Sequence, residues 1–88
     1  MSQKDQKHQF SVGGYEFSLS REQARYKLGT LKAADIEEVK KYYVHIKGRQ
    51  IPIKQALTTV EPEIMRAGCN SSDGIRVFRR LGLKVGEI

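Results

Sequence analysis

The chain has 88 residues and carries 16 lysines and arginines against 10 aspartates and glutamates, a formal net charge of +6. That length suits one domain, and no run approaches the roughly 18 apolar residues of a membrane span. One cysteine, Cys69, excludes an internal disulfide and offers no partner for a zinc site, so neither metal nor cofactor is expected.

Met1 to Lys7 is polar, lacks the apolar core of a secretory signal and reads as a frayed end, leaving 8–88 as a single domain in the cytoplasm. The following HQFSVGGYEFSLS predicts a hairpin. Gly13-Gly14 accepts the positive φ angles of a primed two-residue turn, which sets Val12 opposite Tyr15 and Phe10 opposite Phe17. Ser20 with Gln23 three residues on predicts a capping box, and Ala24, Leu28 and Leu31 lie at helical spacing beyond it. Asp35 with Glu38 predicts a second cap, opening a short helix through about Lys41. Its acids read as helix electrostatics, not catalytic carboxylates.

A second hairpin is expected around Gly48-Arg49, with glycine first in the turn, Ile46 opposite Ile51 and Val44 opposite Ile53. Tyr42, Val44, Ile46, Ile51 and Ile53 then share the buried face, and Tyr43, His45, Lys47 and Gln50 the other. Pro52 confines its strand to an edge or a short length. Ile53, Ala56, Leu57 and Val60 mark a helix that stops before Pro62, and Glu63 to Asn70 is read as one further turn packed through Ile64 and Met65. Asn70, Ser71 and Ser72 start a last helix that ends at Leu81, with Gly82 as its left-handed stop. Ile75, Phe78 and Leu81 point inward, and Leu83 and Val85 add a short strand. The expected fold class is α+β: two β-hairpins with three to four short helices around one core.

The charge is regional. Beyond Glu63 stand Arg66, Arg76, Arg79, Arg80 and Lys84 against only Asp73 and Glu87. Arg76, Arg79 and Arg80 place three guanidinium groups over about one helical turn, each able to hold a phosphate by two hydrogen bonds. Ser71 and Ser72 stand at the amino end of the same helix, where N–H groups and the helix dipole favour an anion. Arg49 and Lys54 lie at or near the second hairpin tip. Tyr43 and His45 have the chemistry to stack on a base, although such residues more often pack beneath a helix. No spacing links His45 to a nucleophile, so an enzyme is not expected. The composition and charge point to nucleic-acid binding, with double-stranded DNA the preferred partner, through Arg49, Lys54, Ser71, Ser72, Arg76, Arg79 and Arg80. The alternative is a protein-interaction module, an adaptor or weak homodimer, whose basic face meets an acidic partner or whose edge strand pairs with another chain.

The segment from Tyr43 to Leu83 resembles a small bacterial domain family. The pattern is a tyrosine-led strand, a Gly-Arg turn with Pro and Lys beyond it (GRQIPIKQ), a serine-rich helix start and an Arg-Arg-Leu-Gly helix end (RRLGL). More distantly it is similar to the sulfur-recognising DNA-binding domains joined to HNH nucleases in modification-dependent restriction enzymes. By position, Gly48, Arg49, Pro52 and Lys54 match the hairpin element, and Ser71, Ser72, Arg79, Arg80 and Gly82 the helix element. Ile51 and Cys69 stand where many relatives have aromatic residues, and the glycine pair that follows the serine in the restriction-linked domains is absent. The resemblance implies DNA binding; no nuclease motif is present, so it implies no cleavage.

Overall fold

In the computed structural model, which describes residues 6–64 and 68–88, the first hairpin forms as its sequence predicts. Strands β1 (Lys7–Val12) and β2 (Tyr15–Ser20) pair Val12 with Tyr15 and Phe10 with Phe17. Gly13 and Gly14 turn at φ 58° and 85°, the pair of left-handed angles a type I′ turn needs. The strand begins one residue earlier than expected, because Lys7 pairs with Ser20; the rest of the supposed frayed end, Met1 to Asp5, lies outside the described residues.

Ser20 then caps α1 (Arg21–Gly29) by the expected capping box: its Oγ accepts from the Gln23 amide at 3.1 Å, and the Gln23 side chain accepts from the Ser20 amide at 3.1 Å. The helix expected from Asp35 to Lys41 does not form. A single 3-10 turn, Ala33–Asp35, stands in its place, and the chain beyond it runs without regular structure to Tyr42. The physical reason lies in a distant side chain. Gln55 donates to the Asp35 carbonyl at 2.7 Å, the acceptor the first helical turn would use, and accepts from the Glu37 amide at 2.9 Å, so both groups are satisfied without a helix.

The second hairpin also differs from expectation. Strands β3 (Tyr42–Ile46) and β4 (Arg49–Pro52) place Lys47-Gly48 in the turn, pair Ile46 with Arg49, and pair Val44 with Ile51 instead of Ile53. The slip is two residues, so every side chain keeps its face and the apolar pattern cannot tell the two registers apart. The observed one puts Lys47 at φ 49°, left-handed for a residue with a side chain, at a cost of about 1–2 kcal/mol. In exchange Ile53 is released from the strand to open α2 (Ile53–Val60), where it is buried with Ala56, Leu57 and Val60.

Ile64, just past α2, is fully buried, while the expected contact through Met65 lies outside the described residues. Asn70 and Asp73 form a capping box that opens α3 (Ser71–Arg80), and Gly82 at φ 83° follows its end. The last strand, β5 (Lys84–Glu87), pairs antiparallel with β3, giving a sheet of order β4-β3-β5 beside the two-stranded β1-β2 sheet. The fold is α+β: among the described residues, the helices α1, α2 and α3 lie over one face of the three-stranded sheet. Val44, Ile51, Leu57, Val77 and Phe78 all lie within the one core cluster and are fully buried. Burial of a side chain of this size contributes roughly 1.5–3 kcal/mol. Among the described residues no helix is long and apolar enough to cross a membrane.

Candidate functional site

The basic side chains divide into two groups. Members of the first make contacts to other parts of the fold, although Lys47, Arg76 and Arg80 are themselves exposed. Arg49 shares the inner face with Ile46, is half-buried, and donates from Nη1 to the Leu31 carbonyl beyond α1. Lys47 leans over the end of α1: its Nζ lies 3.4 Å from where a Cβ on Gly29 would stand. Lys27 donates to the Val60 carbonyl at 3.1 Å, the last residue of α2. Cations at these two helix ends face the negative pole of the helix dipole. Arg76 donates to the Ser11 carbonyl of the first hairpin at 3.1 Å and pairs with Asp73 at 3.3 Å, with half its side chain exposed. Arg80 lies over the Phe10 ring at 5.8 Å from its centroid.

The second group faces open space, and part of it converges. A groove of about 340 Å³ runs between the 37–42 segment and the start of α2. Lys40, Lys41 and Lys54 line it, together with Ser71 at the first position of α3 and with Glu37 and Glu38. Lys41 also stands over the Tyr42 ring at 5.2 Å. The amino end of α2 contributes to the same groove through Ile53, Lys54 and Gln55. Its N-cap is Pro52, which provides no side-chain hydrogen bond to the first-turn amides. The positive pole of that helix therefore adds to three ammonium groups against two carboxylates.

Of the residues singled out by sequence, Lys54 and Ser71 meet in this groove. Ser72 is exposed at the next position of α3, and Arg79 is exposed on its last turn. Arg76 and Arg80 instead turn toward the first hairpin, and Arg49 sits at the opposite tip of the second. The amino end of α3 differs from the expected anion cradle. The Asp73 carboxylate accepts from the Asn70 amide at 3.2 Å and so already supplies a negative group there. Sequence reading missed Lys40 and Lys41 by assigning them to the last turn of a helix. The signal available was Gln55, a polar residue in an apolar helix, whose amide fits an unpaired backbone.

Searches against protein-family models, curated proteins and solved structures find no match for this chain.

Proposed function

We propose that the protein binds nucleic acid, DNA first of all, by its phosphate backbone and without catalysis. The observation that carries this reading is the convergence of Lys40, Lys41 and Lys54 with Ser71 and an α2 start that no side chain caps. Lysines neutralise phosphates as mobile point charges, and a hydroxyl with helix amides fixes register. The net charge of +6 adds a long-range field that draws a polyanion in. Arg79 and Ser72, exposed on α3, extend the contact. The more distant resemblance of Tyr43 to Leu83 to sulfur-recognising DNA-binding domains supports the same class of partner and belongs to the proposal.

Strand addition to another protein is less favoured at the two edges of the three-stranded sheet. The β4 edge ends in Pro52, which has no N–H, and β5 has four residues with Lys84 and Glu87 at its ends.

The test is Lys40→Gln with Lys54→Gln, both at exposed positions. Folding should change by less than about 0.5 kcal/mol. Affinity for a short DNA duplex should fall, and the slope of log affinity against log salt should shrink by about two units. A double variant with unchanged affinity and slope would refute this groove as the phosphate contact.

A further inference from the structure

The three-stranded sheet has a second face. The register sets Pro52, Tyr43 and Gly86 in one outward row and Gln50, His45 and Lys84 in the next. His45, Gln50 and Lys84 are exposed, whereas the alternate residues Val44, Ile46 and Ile51 are buried beneath the helices. His45 is exposed and Tyr43 half-buried, although such residues more often pack beneath a helix. Tyr43 lies instead across its strand partner Gly86: a Cβ there would stand 2.5 Å from the phenol Oη and Cζ. Only a residue without a side chain lets the ring lie down in this way. Tyr43, His45, Gln50, Lys84 and Gly86 border a shallow depression of about 250 Å³.

We infer that this outer face takes an unpaired base, so that the protein engages single-stranded nucleic acid in preference to duplex. The inference rests on the backbone-binding reading above and adds the state of the bases. Two features select this occupant. A flat aromatic ring and an imidazole on adjacent rows, about 7 Å apart along one strand, are stacking surfaces for a base. The six outward positions include a lysine and no carboxylate, which complements a polyanion. The face is also continuous with the phosphate groove, since Pro52 belongs to both the outward row and the groove wall. A strand whose phosphates lie along Lys40, Lys41 and Lys54 passes directly onto Tyr43. In a duplex the base faces are stacked on their neighbours and closed to such a ring.

Fluorescence anisotropy with a labelled oligothymidylate and a duplex of equal length tests this. The unaltered protein should bind the single strand more tightly. Tyr43→Leu should reduce single-strand affinity by roughly tenfold, the scale of one lost base stack, and leave the duplex affinity unchanged. Tyr43→Phe should retain both, because the ring and not the hydroxyl makes the contact. Gly86→Ala tests the same point without touching the ring's chemistry. Its new methyl meets the movable end of Tyr43, so the fold should survive, the ring should lift and single-strand affinity should drop. Equal binding of both oligonucleotides, or a Tyr43→Leu variant that binds the single strand as well as the parent, overturns the inference while leaving the groove standing. Absence of binding to either oligonucleotide overturns the groove as well.

Discussion

Gly74 lies inside α3, where replacing glycine by alanine in an open helix should stabilise by about 1 kcal/mol. Here the sign should reverse. An alanine Cβ would stand 2.9 Å from Cγ1 of Ile53 and 3.4 Å from its carbonyl oxygen. Carbon atoms pack best at about 3.5–4.0 Å, so the contact is short by at least about 0.6 Å. Ile53 cannot readily give way. It is 2% exposed, branched at Cβ and placed at the first position of α2. Overpacking of this kind costs about 1–3 kcal/mol, which outweighs the propensity gain and leaves a net loss of about 1 kcal/mol. Gly29, at the end of α1, is the internal control: its nearest neighbour would be the flexible tip of Lys47 at 3.4 Å. Gly29→Ala should therefore be neutral or stabilising by up to about 1 kcal/mol. Urea unfolding followed by circular dichroism should give midpoints that move in opposite directions for the two variants, with the slope unchanged. Because the start of α3 leans on the start of α2 at this glycine, Gly74→Ala should also spread Ser71 from Lys54 and weaken DNA binding. Equal stabilisation by both alanines would refute the close approach and the helix packing drawn from it.

Arg49→Glu should lower the urea midpoint, since it removes the donor from the Leu31 carbonyl and sets a carboxylate beside it, a loss of about 1–3 kcal/mol. A variant that keeps its midpoint and loses DNA affinity would make Arg49 a contact residue and not a clamp. Tyr15 donates to Glu61 Oε1 at 3.0 Å, and that carboxylate acceptor, with burial and the charges of Glu61 and Glu63, raises the phenol above its ordinary value of 10.0. A raised folded value means the stabilisation is whole below pH 10.0 and is lost as pH rises through the folded value. Tyr15→Phe should thus lower stability at neutral pH and flatten its alkaline decline. An alkaline decline as steep in the variant as in the parent would show that Tyr15 is not its source.

What could be read from the sequence is what local chemistry decides. The first hairpin carries its turn, its alternation and its register within residues 7–20, and all three agree. The capped helix start at Ser20 likewise needs only a side chain three residues away, and the cluster Asn70, Ser71 and Ser72 marks where the last helix begins. The second hairpin was half legible. Its faces follow from alternation, but its register depends on whether Ile53 is strand or helix, and α2 settles that by burying it. The segment after Asp35 was not legible, because its acids imitate a helix cap while the partner that decides its shape, Gln55, lies about 20 residues away.

The same distinction governs the candidate site. A count of charges weighs every lysine and arginine alike, yet Lys27, Arg49 and Arg76 each donate to a backbone carbonyl 33, 18 and 65 residues away along the chain. These partners exist only once the core has brought the helix ends and hairpins together. Arginine clustering on α3 therefore overstated the free charge of that helix, since Arg76 and Arg80 lie against the first hairpin. Lysines at 40, 41 and 54 show the converse. Lys40 and Lys41 look unremarkable in sequence, part of a charged run, and join Lys54 as a set only because Gln55 draws the 37–42 segment alongside the start of α2. Which cations stay free of partners within the fold is thus set by tertiary contacts and not by their number in the sequence.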